Sequence, residues 1–270
     1  MKGEISVLYV GDSGIVLGPL IFESPFLMEI KDVYLRDWSR YLTDALRDYP
    51  EIKVEHLRTI EAYRDFPRTR DELNRYDVII LSDVTSETLR FYPRFFPIQE
   101  LVEISIIESE EYVLMPDRLE LIKSFVEDGG GLLMAGGWYS FSGRFGHGGW
   151  YGTPVAEVLP VEIMRFDDRV EAPMGVRVKV IDREDPVVRG IDWETCPPFL
   201  GYNQVRLKSS AKLVAVIGEG DPFIVTGEYG KGRVMAFTSD PVLHWGINFV
   251  KWKYYPRFWM QAIKWLAKKI

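Results

Sequence analysis

A single cysteine, Cys196, is the only thiol in this 270-residue chain, so no disulfide closes within it and no multi-cysteine zinc site forms. Histidine is nearly as scarce. His56, His147 and His244 are the only imidazoles, which leaves three positions for a side chain that titrates near neutral pH. No long run of Lys and Arg appears in a chain of net charge −7. Phosphate binding needs clustered cations, so a dedicated nucleic-acid surface is excluded. No apolar stretch approaches the roughly 18 residues of a membrane-spanning helix. The start, Met1-Lys2-Gly3-Glu4 followed at once by Ile5-Ser6-Val7-Leu8-Tyr9-Val10, reads as a first strand rather than a secretory leader. These absences predict a cytoplasmic protein that works with a small molecule, without nucleic acid or membrane.

Apolar residues make up 47% of the chain, enough for a sizeable core, and aromatic residues 14%, much of it outside obvious strands. Aromatic loops serve packing first, and ligand pockets or subunit contacts second. For a homo-oligomer the candidate contacts are Trp138, Trp150 and the run from Trp252 to Tyr255. No repeat, low-complexity tract or linker interrupts the sequence, so residues 1–270 read as one domain.

Hydrophobic periodicity sets out the elements. Residues 5–10 form a strand that ends in Gly11-Asp12-Ser13-Gly14, whose spacing is wrong for a dinucleotide fingerprint. Residues 18–32 have no clear period and predict a long loop. Residues 34–49 carry Leu35, Trp38, Tyr41, Leu42, Ala45 and Leu46 at helical spacing. Residues 52–57 read as a second strand. Tyr76-Asp77-Val78-Ile79-Ile80-Leu81 is a continuous apolar run, the mark of a strand buried on both faces, and it ends in Ser82-Asp83. Pro116-Asp117 opens a helix that runs to Gly129-Gly130-Gly131, and Leu132-Leu133-Met134-Ala135 follows as a strand. This alternation predicts an α/β protein with a mostly parallel, doubly wound sheet and helices on both faces. Extra β-strands occupy the C-terminal half, at residues 176–181, 212–217, 223–228 and 233–238, with Tyr229-Gly230-Lys231-Gly232 as a hairpin turn. A last helix spans about residues 254–268.

The carboxyl ends of such strands are where ligands gather, and there the turn Gly136-Gly137-Trp138-Tyr139-Ser140 offers glycine in place of a nucleophile. Its backbone N–H groups suit an anion or oxyanion. Beyond the last strand lie Asp240, His244 and Trp245, where a carboxylate next to an imidazole fixes its tautomer and raises its basicity. Ser140 with His244 makes a conceivable hydrolytic pair, although Gly-x-Ser-x-Gly is absent. His147, in the glycine-rich stretch 143–152, serves either a ligand or lid, or a flexible surface. His56 reads as structural, and Cys196, in a proline-rich loop without a neighbouring cation, as an unreactive thiol. Asp240, His147 and His244 are metal-binding residue types without diagnostic spacing, so neither metal nor cofactor is assigned.

The chain resembles the class I glutamine amidotransferase superfamily, and within it the uncharacterised glutamine amidotransferase-like cytoplasmic proteins. The closer resemblance covers nearly the whole chain. It rests on Asp71-Glu72-Leu73-Asn74-Arg75-Tyr76-Asp77-Val78, the run 129–140, Glu157-Val158-Leu159-Pro160-Val161, Asp167-Asp168-Arg169-Val170-Glu171, Phe199-Leu200-Gly201-Tyr202-Asn203-Gln204, Gly227-Glu228-Tyr229, Ser239-Asp240 and His244-Trp245-Gly246. The resemblance implies a flavodoxin-like sheet. A glutaminase of this superfamily carries Gly-x-Cys-x-Gly at the elbow and His-x-Glu after a late strand. Here the resemblance puts Gly136 in the cysteine's place, His244 in the histidine's and Gly246 in the glutamate's. Loss of a covalent nucleophile abolishes covalent catalysis, so glutaminase activity is not expected. The expected role is binding of a small polar metabolite, a sugar or a carboxylate, by Gly136, Gly137, Trp138, Ser140, Tyr151, Tyr202, Asn203, Asp240, His244 and Trp245. The alternatives are a non-catalytic binding or assembly module, and a hydrolase built on Ser140 and His244.

Overall fold

The computed structural model of the chain describes residues 3–18, 20–24, 27–96 and 112–270. The chain enters through β1 (Ile5–Gly11), whose alternately packed Val, Leu and Tyr side chains are buried on both faces. It then leaves the sheet for two small antiparallel ribbons, β2 (Ser13–Leu17) paired with β5 (Val33–Asp37), and β3 (Leu20–Ser24) paired with β4 (Leu27–Ile30). This corrects the expectation of a loop over residues 18–32 and of a helix from residue 34. Ile15, Val16 and Val33 are β-branched and stiff at χ1, which suits a ribbon. The helix α1 (Arg40–Leu46) starts only after Trp38 and buries Leu42 and Leu46, the C-terminal part of the predicted stripe.

The parallel core follows as predicted. β6 (Ile52–Leu57) pairs with β1. The short helices α2 (Thr59–Asp65) and α3 (Arg70–Leu73), the latter closed by a Thr69–Glu72 capping box, lead to β7 (Val78–Ser82) on the other side of β1. Each fully buried Val, Ile or Leu of β7 contributes about 1.5–3 kcal/mol of transfer free energy. The helices α4 (Ser86–Arg90) and α5 (Arg118–Glu127), which Asp117 caps through its side chain, precede β8 (Gly131–Ala135).

Next come α6 (Pro154–Val158), β9 (Val161–Ile163), β10 (Arg169–Val176) and β11 (Val178–Val180). The strand expected over 176–181 is therefore two: β10 pairs with β12 (Phe199–Asn203) in a separate ribbon, and β11 joins the main sheet. β13 (Val205–Leu207) pairs with β9. β14 (Lys212–Ile217), β15 (Asp221–Tyr229) and β16 (Gly232–Phe237) form an antiparallel meander, and α7 (Tyr255–Leu266) closes the chain.

The main sheet has eight strands in the order β11-β14-β15-β16-β8-β7-β1-β6. Strands β16, β8, β7, β1 and β6 are parallel, and the remaining three are antiparallel. This is a flavodoxin-like α/β sheet with extra antiparallel strands. One core packs α1 and α7 against one face, with Leu46, Phe237, Phe258 and Trp259; the other packs α2 to α6, with Leu119, Ile122 and Trp150. From β1 the chain moves to β6, whereas from β7 it moves to β8. The two halves of the order thus diverge between β1 and β7. That switch point lies at the carboxyl ends of the two strands, the place where ligands gather in such sheets and where Asp12 and Asp83 stand.

Candidate functional site

Four strand ends supply the site: β1 gives Asp12, β7 gives Asp83, β8 gives the Gly136-Gly137 turn and β16 gives Asp240. Asp12 and Asp83 both hold positive φ, 48° and 45°, a left-handed conformation in which Asp is one of the tolerated residues. Asp12 is buried and accepts a short hydrogen bond from the Tyr9 hydroxyl. Burial, then the charge of Asp83, pushes its carboxyl well above the usual range.

The Gly136-Gly137 turn is locked from inside. The Gly136 N–H donates to Phe237 O at 2.7 Å and Ser239 O at 3.0 Å. The Gly137 N–H donates to Asn203 Oδ1 at 2.9 Å, and Asn203 Nδ2 returns bonds to Gly137 O at 3.1 Å and Asp168 Oδ1 at 2.8 Å. Neither N–H is free for a bound anion, which corrects the expected cradle. The amides further along the turn are taken as well. Asp83 Oδ1 accepts from Tyr139 N at 2.8 Å, and the Trp138 amide also faces its carboxylate. The chain thus places its own carboxylate against the outer amides of the turn.

Glycine at 136 is a matter of space. A Cβ there would lie 2.6 Å from Asn203 Oδ1 and from the carbonyl carbon and oxygen of Thr238. At Gly137, with φ of 147°, it would lie 2.6 Å from Asp83 Oδ1 and 2.7 Å from Asp240 Oδ1. Two carboxylate oxygens therefore close over Gly137 and leave no room for a side chain there.

Asp240, 1% exposed, holds the other end of the site. Its Oδ2 accepts from His244 N at 3.1 Å and Trp245 N at 2.8 Å, and lies 3.0 Å from His244 Nδ1. His244 keeps nearly half of its side chain in solvent. Burial works against its imidazolium, but the hydrogen bond and charge of Asp240, then the charges of Asp83 and Glu171, outweigh it and raise the histidine's pKa. Asp83 moves the same way. Burial first, and the charge of Asp240 second, push it to about 7 against the pull of the Tyr139 and Trp138 amides and of His244. A histidine raised above its ordinary value beside a carboxyl group pushed up to about 7 makes this edge suited to moving protons.

Glu171 on β10 ties the aromatic rim together. Its Oε1 accepts from Trp138 Nε1 at 3.2 Å and its Oε2 from Trp245 Nε1 at 2.9 Å. The Trp138 ring packs edge-on against His244, with centroids 4.7 Å apart, and carries the Arg144 guanidinium at 4.6 Å. Among the described residues no three His, Cys, Asp or Glu side chains gather in a metal-holding group.

Of the residues expected at this edge, Gly136, Gly137, Trp138, Asn203, Asp240, His244 and Trp245 do come together. Three do not. The Ser140 hydroxyl is buried and accepts from Asp83 N at 3.0 Å rather than meeting His244, so the expected hydrolytic pair is not assembled. Tyr151 accepts from Arg165 Nε at 2.8 Å and lines a separate cavity of about 520 Å³ with Glu162, Phe166 and Arg206. The Tyr202 hydroxyl donates to Asp221 at 2.7 Å. The loop around His147 is pinned: Asp168 accepts from the amides of Ser142 and Gly143, Asp167 accepts from that of Phe145, and Trp150 is fully buried and donates to Val84 O. Of the aromatic residues expected at oligomer contacts, Trp150, Trp252 and Tyr255 are 0%, 6% and 2% exposed, whereas Trp138 and Tyr254 keep part of their surface. His56, as expected, is held in place, between Gly11 O and Ser39 Oγ.

Sequence reasoning did not assign roles to Asp12, Asp83 and Glu171. Asp12 and Asp83 stand one residue past the ends of β1 and β7, and that position was their signal. Nothing in the local sequence marks Glu171, which reaches the site only because β10 pairs with β12.

Comparison with known proteins adds to this geometry. The family GATase1_like, described as "Putative glutamine amidotransferase", matches residues 28–268. Two cytoplasmic proteins of Salmonella typhimurium are similar along their whole length. One is 33% identical with a TM-score of 0.84, covering 96% of this chain and 98% of its own. The other is 32% identical with a TM-score of 0.83, covering 97% and 99%. A thua-like protein of Bacteroides uniformis, 12% identical with a TM-score of 0.55 over 98% of this chain and 93% of its own, shares the fold. No curated protein matches.

Proposed function

The chain belongs to the glutamine amidotransferase-like family GATase1_like, and from that premise we propose that it is a cytoplasmic member without thioester chemistry, which binds a small polar metabolite at the carboxyl edge of the sheet. The observation that carries this reading is the crowding at Gly136, where Asn203 and the Thr238 carbonyl fill the space a nucleophilic side chain would need. The chain's one thiol is elsewhere. Cys196 is buried in the core that packs α7, and burial pushes it up to about 12, so it is no thiolate at neutral pH.

Asp83, Asp240 and Glu171 make the rim acidic, so of the two expected ligand classes the uncharged sugar fits better than the carboxylate. His244, half exposed and hydrogen-bonded to a buried carboxylate, is the group that would exchange a proton with that ligand. The Trp138 and Trp245 indoles supply apolar walls.

The test is a thermal-shift screen of amino acids, sugars and phosphates on the wild type and on His244→Ala, beside an assay for ammonia release from glutamine. A compound that stabilises the wild type and not the variant supports the reading. Glutamine hydrolysis that a thiol reagent abolishes would refute the absence of thioester chemistry, and no hit in any class would refute the ligand site.

A further inference from the structure

The cavity beside Tyr151 stands apart from the sheet edge, and the proposed function makes no use of it. Its volume of about 520 Å³ falls within the roughly 300–1,000 Å³ of small-ligand pockets. Local sequence explains its lining. In β9 the apolar Val161 and Ile163 are buried and Glu162 between them is exposed, while antiparallel pairing sets Arg206 of β13 directly opposite Glu162. Both long polar side chains therefore share one face of the ribbon and line the cavity, which Arg165 and Phe166 join from the segment after β9. Two aromatic rings stand there in water, Phe166 at 73% and Tyr151 at 48% exposure.

The charges of the lining do not cancel. Its cations are Arg165, Arg206 and Lys208, and its carboxylates Glu157 and Glu162. Glu157 is already paired with Lys123 from outside, and Glu162 sets its charge against Lys208. Lys208 itself donates to the Ala156 and Glu157 carbonyls, each at 2.8 Å. Arg165 gives its Nε to the Tyr151 hydroxyl at 2.8 Å and holds its guanidinium 5.2 Å from the centre of that ring. Its two Nη atoms, and the whole guanidinium of Arg206, have no hydrogen bond or ion pair among the described residues. Two uncompensated guanidinium groups thus share one cavity in a chain of net charge −7.

We propose that this cavity binds an aromatic organic anion, a ring bearing a carboxylate or a phosphate, with the anionic oxygens on Arg165 and Arg206 and the ring against Phe166 and Tyr151. A planar guanidinium presents paired N–H donors that match two oxygens of such a group. Tyr151 fixes the Arg165 fork through its Nε, so both Nη atoms are oriented before any ligand arrives. A neutral sugar or a cation would leave both arginines without a counter-charge. The inference does not depend on the reading of the sheet edge.

Ligand-observed NMR titrates benzoate and phenyl phosphate against wild type, Arg165→Gln, Arg206→Gln, Phe166→Ala and His244→Ala, with benzyl alcohol and inorganic phosphate as controls. The three cavity positions are exposed, so their variants should melt with the wild type. At least one of the two aromatic anions is expected to bind the wild type, about tenfold more weakly in each arginine variant. Phe166→Ala should weaken it as well, and His244→Ala should leave it unchanged. The tighter of the two probes names the anionic group. No binding of either anion, equal binding of benzyl alcohol, or an undiminished response in both arginine variants would overturn the proposal. So would inorganic phosphate that binds as tightly as phenyl phosphate, which marks an adventitious anion contact only. Loss of binding in His244→Ala alone would move the anion to the sheet edge and refute this site while leaving that one standing.

Discussion

Installing a cysteine at position 136 should damage the protein rather than endow it with glutaminase activity. The substitution Gly136→Cys puts a Cβ 2.6 Å from Asn203 Oδ1 and from the Thr238 carbonyl. Overpacking of this kind costs about 1–3 kcal/mol by itself. The atoms that must yield are already committed: Asn203 holds Gly137 N, Gly137 O and Asp168 Oδ1, and Thr238 O accepts from Asn203 N at 2.7 Å. With each net hydrogen bond worth about 1 kcal/mol and only part of the set lost, the total comes to about 3–5 kcal/mol. At roughly 2–3 °C per kcal/mol for a chain of this size, the melting temperature should fall by about 6–15 °C. Circular dichroism on heating measures this, and an ammonia assay with glutamine measures activity. The double variant Gly136→Cys with Asn203→Ala should not recover, because the Thr238 backbone remains in the way. A Gly136→Cys protein that melts with the wild type, or hydrolyses glutamine, would refute the steric argument and with it the main support for the proposed function.

Acidity should stabilise the chain. Asp83 and Asp168 have folded-state values of about 7 and about 6, both above the ordinary 3.8, with burial the first cause of each, and His244 is also raised. The folded chain therefore binds more protons than the unfolded one, and the contribution from Asp83 is full below about pH 4 and lost as pH climbs through 7. The melting temperature should be higher at pH 5.5 than at pH 8, and Asp83→Asn should shrink that difference. Trp150→Ala should cost about 3–5 kcal/mol, since the ring is fully buried and its Nε1 donates to Val84 O, and sedimentation should show no change in the oligomeric state of the folded fraction. Cys196 should ignore a thiol reagent such as DTNB in the native state and react as one equivalent after denaturation, because burial keeps it protonated.

Much of this was legible in the residues alone. Continuous apolar runs such as Val78–Leu81 are typical of strands buried on both faces, and the glycines after α5 are a helix stop signal, so the parallel core and its carboxyl edge followed. The edge then led to Asp240 and His244. What local pattern could not show was which side chains meet. Ser140 is two residues past Trp138 yet turns to the Asp83 amide. Tyr151 and Tyr202 are polar aromatics in loops or ribbons near the site in sequence terms, but each hydroxyl finds a closer partner in Arg165 or Asp221. The helical reading of residues 34–49 failed because Leu35 and Trp38 fit a helical period by coincidence, while the pairing of Val33 and Leu35 with Leu17 and Ile15 decided the local structure. Asp83 was in view as the polar end of a strand. Its importance came from a neighbour 157 positions later, and no local signal carries that.

The two indoles tied to one carboxylate have a kinetic consequence. Glu171 bonds Trp138 across 33 positions and Trp245 across 74, so the rim requires the ends of β8 and β16 and the β10 ribbon to be in place together. Contacts of such long reach form late, since loop closure must be met before they return anything. A nascent or partly folded chain therefore has no rim, and ligand recognition should switch on only with the final step of folding. Both reporters are tryptophans among the eight of the chain, so the fluorescence change lost in Glu171→Gln marks the moment of assembly.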